Sequence, residues 1–309
     1  MKKLTVFLAM AVIALSCAKE QPAAPVKMKT VTVSLGAPVI EPTTKTILGG
    51  ENGTSVEWRG DDVNIVAITN GAKGENWYLF TSTDNERAAV KTFTGSIPET
   101  EKVVCYFYDL NKADSFGLSK YTAYETVRVI LPYDQSCWSY NSFPQTQNFA
   151  LALAGENPKF KSCCGYFKWT NNGDAIKSVK FETVTEHEYF AGYFNSTISA
   201  EGISTEKYVY NEGNQNACSK YVNSKDPHGT ITADSSYYAI VIPGEFHGMK
   251  MTITLAAGGT VALVSSTTFT VQPGKYIDLG VLPVAAITKA ASGSVIAGLG
   301  DFPGEWVVE

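Results

Sequence analysis

The sequence lacks the residue patterns that most enzymes and metal sites require. Only 3 of its 309 residues are histidines, His187, His228 and His247, and none belongs to an H-E-x-x-H motif. The chain also has no G-x-S-x-G sequence and no P-loop, the motifs that mark a serine nucleophile and a phosphate-binding loop. We therefore expect a non-enzymatic protein with no catalytic residues, no metal ligands and no cofactor.

Basic residues are too few and too dispersed to form a nucleic-acid-binding surface. The chain has 25 Lys and Arg against 30 Asp and Glu, which gives a formal net charge of −5. The basic residues are spread along the chain, whereas binding to nucleic acid needs a concentrated basic face. We therefore predict that nucleic acid is not a partner.

Cysteine is scarce, and beyond the N-terminal region its count is odd. After Cys17 the chain contains Cys105, Cys137, Cys163, Cys164 and Cys218. An odd number cannot be fully paired within one chain, and no C-x-x-C or Cys/His spacing suggests zinc. We expect these side chains to act mainly as small buried hydrophobic groups. Their pairing in one or two disulfides stays open.

Long apolar runs are also absent, apart from a short one at the N-terminus. Residues 4–15 are uncharged and follow the basic start of residues 1–3. This run is too short to span a bilayer, which needs roughly 20 apolar residues, but it has the form of an export signal. Residues 1–16 are therefore predicted to be a signal peptide.

The end of that signal predicts a lipid anchor. Residues 14–17 read Ala-Leu-Ser-Cys and resemble a lipobox, after which Cys17 becomes the first residue and carries acyl chains such as palmitate. These chains would hold the mature protein on a membrane. Residues 17–27 are then a lipidated linker.

Beyond this linker, hydrophobic residues follow the two-residue period of β-strands. Val31, Val33 and Leu35, for example, share one face of a predicted strand, and Gly258-Gly259 marks a hairpin. The further predicted strands are 56–58, 63–68, 77–81, 89–94, 103–108, 126–131, 166–169, 176–182, 189–198, 207–210, 237–242, 251–255, 261–264, 269–271 and 276–281. Residues 149–154 are predicted as one short helix, and His187 and Glu188 as alternating strand positions. The pattern as a whole predicts an all-β protein.

A lapse in the pattern between residues 133 and 155 divides the chain into two predicted domains. The first, residues 28–155, and the second, residues 156–285, are each expected to form a β-sandwich. Residues 286–309 are either a frayed tail or a short strand that docks Trp306, and their apolar end favours docking.

Four sets of short segments follow one another along the chain in an order that is typical of one protein family. They are residues 43–46 followed by 56–63 (Thr-Thr-Lys-Thr, then Val-Glu-Trp-Arg-Gly-Asp-Asp-Val), residues 93–96 followed by 103–108, residues 238–246 followed by 251–255, and residues 269–277. Together they resemble the fimbrillin-like proteins of Bacteroidota, the subunits and relatives of type V pili. The resemblance implies two tandem transthyretin-like β-sandwich domains and a role as a cell-surface pilus (fimbrium) subunit or adhesin.

The resemblance also implies assembly by strand exchange. In such pili a protease removes the first strand, here about residues 27–35, and a strand of a neighbouring subunit fills the groove. Processing after a basic residue makes Lys45 and Arg59 the candidate sites. Residues 302–308 are either the strand that enters a neighbour or part of their own domain. The expected partners are the membrane, other subunits or copies of this chain, and a host or bacterial surface ligand.

An alternative interpretation is a monomeric surface lipoprotein that binds glycans or a host protein. It is based on aromatic residues in the polar stretch 133–155, of which Trp138 and Tyr140 are the candidate ligand contacts. Large aromatic side chains also fill the ends of β-sandwiches, so burial in the core is the competing explanation.

Overall fold

The computed structural model describes residues 26–39, 41–42, 58, 64–71, 77–84, 86, 88–108, 126–136, 149–172, 176–207, 218–225, 231 and 235–309. Almost all regular structure in these residues is β-strand. This confirms the all-β, sandwich-type fold class. Within the described residues, no helix is long and apolar enough to cross a membrane.

The strands are short and follow one another closely. Those before residue 172 are β1 Met28–Val39, β2 Glu41–Pro42, β3 Asn64–Thr69, β4 Trp77–Thr81, β5 Val90–Pro98, β6 Val103–Tyr108, β7 Thr126–Leu131, β8 Asp134–Ser136, β9 Ala150–Leu153, β10 Lys159–Ser162 and β11 Gly165–Asn171. Those after it are β12 Ile176–Thr183, β13 Ala191–Ile198, β14 Ile203–Lys207, β15 Cys218–Ser219, β16 Tyr221–Lys225, β17 Ser235–Val241, β18 Gly244–Leu255, β19 Thr260–Val271, β20 Lys275–Val281, β21 Val295–Ile296 and β22 Trp306–Val308, with helix α1 at Val284–Lys289.

The N-terminal strands form a sheet that closes on itself in the order β1-β10-β9-β6-β3-β4-β5. Its interior is a core cluster that includes Trp58, Phe80, Phe93, Tyr108 and Phe160. Each of these rings contacts another ring of the cluster edge-on or at a tilt, the geometry that aromatic quadrupoles favour.

The C-terminal strands form two sheets that share a second core. One sheet has the order β17-β11-β20-β2 and the other has the order β21-β22-β19-β18-β12-β16-β8. Between them lies a large cluster that includes Phe167, Trp169, Phe181, Phe269 and Trp306. Aromatic and aliphatic residues from both sheets therefore fill one apolar layer, as in other packed sheets.

A third apolar cluster joins the N-terminal sheet to the C-terminal strands. It brings together Cys105 and Phe107 on β6, Val129 on β7, Phe194 on β13 and Ile240 on β17. Strand pairing also crosses the predicted boundary near residue 155, because β7 pairs with β13 and β8 with β16. The domain limits drawn from the sequence stay a prediction.

Two local predictions were wrong. Residues 150–153 form strand β9, paired with β6 and β10, and not a helix. Alanine and leucine favour helices only weakly, and here the pairing and burial of the segment between two strands outweigh that preference. His187 lies in a turn, with a φ of 62°, and Glu188 directly follows it, so neither residue is in a strand.

Several other predictions are confirmed. Gly258 and Gly259, with φ of 97° and 86°, connect β18 to β19 as a hairpin. Cys105, Cys163 and Cys164 are fully buried, as expected of small hydrophobic side chains, whereas Cys218 is half-buried. Cys137 lies outside the described residues.

Candidate functional site: the slot of the N-terminal strand

The first described strand, β1, has partners on both sides. It pairs antiparallel with β5 from Met28 opposite Pro98 to Gly36 opposite Val90. At its far end it pairs parallel with β10, where Gly36 faces Lys159. We call the space between β5 and β10 that β1 occupies the slot.

The chain then continues from one sheet into another. Two-residue β2 pairs parallel with β20, so that Glu41 lies opposite Lys275. Residues 28–42, which we call the N-terminal segment, therefore link the closed N-terminal sheet to a sheet of the C-terminal strands. Removal of this one segment would open the closed sheet and would make β20 the edge strand of the other sheet.

The alternating sequence of β1 explains how it sits in the slot. Leu35 is fully buried in the N-terminal core, and Val31 and Val33 pack against the same cluster. Thr30, Thr32 and the other side chains of the opposite face are exposed. Burial of one face sets the register, because a shift by one residue would turn the apolar side chains to solvent.

Trp58 closes the slot from the interior. Its indole Nε1 donates a hydrogen bond of 2.9 Å to the main-chain carbonyl of Leu35. Its ring contacts Phe93, Tyr108 and Phe160 at centroid distances of 5.2, 4.8 and 5.5 Å. Trp58 is 1% exposed, and if β1 left, its N–H would lose this acceptor and need water or another carbonyl as a partner.

Polar contacts hold the N-terminal end and the outer face of β1. The Lys29 ammonium donates to the main-chain carbonyls of Glu99 and Glu101 at 3.0 and 2.7 Å. The hydroxyls of Thr32 and Thr94 are hydrogen-bonded at 3.1 Å across the strands. Because these groups are exposed or only partly buried, we expect each contact to contribute little to stability compared with the burial of Leu35.

An open cleft of 630 Å³ borders the far end of the slot. It is lined by Phe160, Lys161 and Ser162 of β10, by Glu201, Gly202 and Ile203, and by Gln272, Pro273, Gly274 and Lys275. The Ser199 hydroxyl donates to the Glu201 carboxylate at 2.6 Å and holds the pKa of Glu201 below its usual value, assisted by the charge of Lys161. The cleft lies where the N-terminal segment passes from β10 to β20.

The C-terminal strand is docked within its own chain. In β22, Val308 and Val307 pair with Leu263 and Val264 of β19. Trp306 is fully buried and contacts Phe302 at a centroid distance of 4.7 Å. The predicted docking of Trp306 is confirmed. Residues 306–308 therefore complete a sheet of their own chain in this structure.

The residues singled out in the sequence for lipidation, cleavage and ligand contact, Cys17, Lys45, Arg59, Trp138 and Tyr140, all lie outside the described residues. The structure thus leaves those assignments as predictions. The described part of the chain holds no group of three or more His, Cys, Asp or Glu arranged to bind a metal.

Sequence reasoning missed two features. One is the hydrogen bond from Trp58 to the carbonyl of Leu35, for which the only signal was a tryptophan in an apolar strand pattern. The other is the exposure of Trp77, which is 42% exposed on β4. The sequence predicted a strand at residues 77–81, but not which of its faces the sheet leaves to solvent.

Comparison with known proteins gives resemblances in solved structures only. No family model and no curated protein matches the chain. A proposed cell adhesion protein from Bacteroides uniformis is 13% identical, with a TM-score of 0.42 over 82% of this chain and 93% of that one. Similar proteins from Bacteroides fragilis and Parabacteroides distasonis are each 9% identical. Their TM-scores are 0.37 and 0.34, over 82% and 77% of this chain and 92% and 77% of theirs. TM-scores this low do not establish a shared fold.

Proposed function

We propose that this protein is a cell-surface adhesin or filament subunit of the fimbrillin-like type that joins its neighbours by exchange of the N-terminal strand. The observation that carries the proposal is the position of the N-terminal segment. Its strand β1 is the first strand of the described chain, it pairs with β5 from Met28 to Gly36 and with β10 only at Gly36 and Val39, and one of its faces is buried. A single cut behind the segment would detach it without dividing any other strand of the described residues.

The emptied slot would be specific for another strand. It would offer the main-chain groups of β5 and β10, the pocket vacated by Leu35, and the N–H of Trp58. A replacement strand would need apolar residues at alternate positions and a carbonyl opposite Trp58. These requirements are those that β1 itself meets, so a chemically similar strand of another subunit is the occupant that fits.

Retention of Trp58 favours Lys45 over Arg59 as the cleavage site. A cut after Lys45 removes β1 and β2 and leaves Trp58 in the core to receive the incoming strand. A cut after Arg59 removes Trp58 as well, together with its contacts to three aromatic rings. The lipid on Cys17 would leave with the same fragment, so anchoring at the outer membrane is temporary in this proposal.

The test uses the full chain displayed on cells, with Lys45→Ala and Arg59→Ala as matched variants. Addition of a trypsin-like protease should trim the wild type and Arg59→Ala behind Lys45, which intact mass reports, and should produce SDS-resistant ladders. Lys45→Ala should stay uncut at that position and monomeric. A trimmed protein that never forms ladders, or ladders that form without trimming, would contradict the proposal.

The alternative of a monomeric lipoprotein that binds glycans through Trp138 and Tyr140 stays a prediction. Alanine substitution of both residues should abolish binding on a glycan array without a change in melting temperature. A loss of stability would instead indicate that these two side chains belong to the core.

A further inference from the structure

The outer surface of the N-terminal sheet has an unusual composition on three adjacent strands. The register of β1 with β5 places Thr32 beside Thr94, and that of β5 with β4 places Thr94 beside Thr81. The exposed side chains of this surface are Met28, Thr30, Thr32 and Ser34 on β1, Val90, Thr92, Thr94 and Ser96 on β5, and Trp77, Leu79 and Thr81 on β4. None is charged and most carry a hydroxyl. We call this surface the hydroxyl face.

The hydroxyls form rows that can still donate and accept hydrogen bonds to a ligand. Thr32 and Thr94 are hydrogen-bonded at 3.1 Å, and Ser34 and Thr92 at 3.0 Å. Each such pair uses one donor and one acceptor, and a hydroxyl has one donor and two acceptor sites. Every pair therefore retains one proton donor and several lone pairs toward solvent, in fixed positions on a rigid sheet.

Trp77 adds an aromatic surface at one end of these rows. It is 42% exposed, and Leu79 on the same face is 48% exposed. Trp77 precedes Thr81 by four residues, roughly 13 Å at the rise of a β-strand. A large indole left in contact with water beside polar neighbours is a common feature of binding surfaces.

The chemistry of the face selects among possible ligands. The face carries no charged side chain that could pair with a charged partner. A peptide strand could not extend the sheet here, because β1, β4 and β5 each lie between two other strands and present a face, not an edge. A neutral sugar fits both parts, since its C–H surface packs on an indole ring and its hydroxyls pair with neutral donors and acceptors.

We propose that the hydroxyl face binds a neutral glycan, with one sugar ring on Trp77 and the following units along the Thr and Ser rows. This site is distinct from the predicted contacts Trp138 and Tyr140. It does not depend on strand exchange, because the face is complete in the uncut chain. It would give an adhesin its ligand.

Affinity electrophoresis of the uncut full chain tests the proposal. The protein is run through gels that contain a neutral polysaccharide, such as galactomannan, xyloglucan or mixed-linkage β-glucan, and through gels with the acidic polysaccharide alginate. Retardation is expected in at least one neutral gel and not with alginate. Trp77→Ala should weaken it by about tenfold or more, the factor for a lost contact of about 1.4 kcal/mol, and Trp77→Phe should retain part of the binding.

Two further variants distinguish a specific binding site from a nonspecific effect of removing surface side chains. Val281→Ala removes another exposed apolar side chain, 50% exposed and outside the face, and should bind like the wild type. Thr94→Val removes a hydroxyl without a change in shape and should weaken binding while the melting temperature stays within a few degrees.

Three outcomes would overturn the proposal. The first is retardation that persists in Trp77→Ala, and the second is no binding to any neutral polysaccharide or to an array of neutral oligosaccharides. The third is a loss of self-association in Trp77→Ala by sedimentation without any glycan binding, which would make the face a contact between copies. None of these results bears on ladder formation after cleavage, so the two proposals fail separately.

Discussion

Shortening Leu35 tests whether β1 is held in its slot mainly by one buried side chain. Leu35 is fully buried in the cluster around Trp58. A buried leucine truncated to alanine costs about 2–5 kcal/mol, since the lost transfer free energy adds to that of the cavity left behind. The hydrogen bond from Trp58 should persist, because its acceptor is the main-chain carbonyl of Leu35.

Thr32→Ala is the matched control for Leu35→Ala. Thr32 lies three residues earlier on the same strand, but its side chain is exposed and bonded only to Thr94. Substitutions at such surface positions usually change stability by no more than about 0.5 kcal/mol. The two variants therefore separate burial in the slot from the general effect of altering β1.

Urea unfolding measures the loss of unfolding free energy in each variant, and peptide exchange measures how readily β1 leaves the slot. With a slope of about 3 kcal/mol/M, a loss of about 3 kcal/mol lowers the midpoint by about 1 M. After cleavage behind Lys45, a labelled peptide of residues 27–42 should replace the native strand faster in Leu35→Ala than in Thr32→Ala. Equal midpoints and equal exchange rates in the two variants would refute the account of the slot.

Three further predictions follow from other buried groups. Trp306→Ala should lower the free energy of unfolding by about 3–5 kcal/mol, measured in urea; an unchanged midpoint would mean that β22 is not docked. Gly95→Ala should destabilise by about 1–3 kcal/mol through overpacking, because an added Cβ would lie 2.1 Å from Cδ1 of Phe80, and Phe80→Leu should restore part of the loss. Burial raises the pKa of Cys164 to about 12, so iodoacetamide at about pH 8 should label half-buried Cys218 first. The unfolded thiol ionises near pH 8.5. The contribution of Cys164 to stability is therefore complete below that pH and is lost as pH rises toward about 12. Equal rates of iodoacetamide labelling for Cys164 and Cys218 would contradict the burial of Cys164.

The two-residue period of the sequence was sufficient to predict most strands and, for β1, which side chains share the buried face. Val31, Val33 and Leu35 alternate in the sequence and all face the N-terminal core. The glycine pair at 258–259 predicted a hairpin because few other residues adopt its positive φ angles. These features depend only on neighbours along the chain.

Strand partners could not be read from the same pattern. Alternation states which side chains share a face, but not which distant strand lies alongside. The pairing of β1 with β5 and β10, and of β2 with β20, joins segments far apart in sequence. The strand at residues 150–153 was missed for the same reason, since only its partners on both sides made a strand of a sequence with weak helical preference.

Trp58 and Trp77 show most clearly what the sequence determined and what tertiary structure decided. Both tryptophans occur in apolar, strand-like sequences, which was enough to predict that each lies on a strand or beside one. Yet Trp58 is 1% exposed under β1 and Trp77 is 42% exposed on the outer surface of β4. Which face is covered depends on the closure of the sheet around its core. The sheet closes through contacts between residues far apart in sequence, and a local sequence pattern does not specify such contacts.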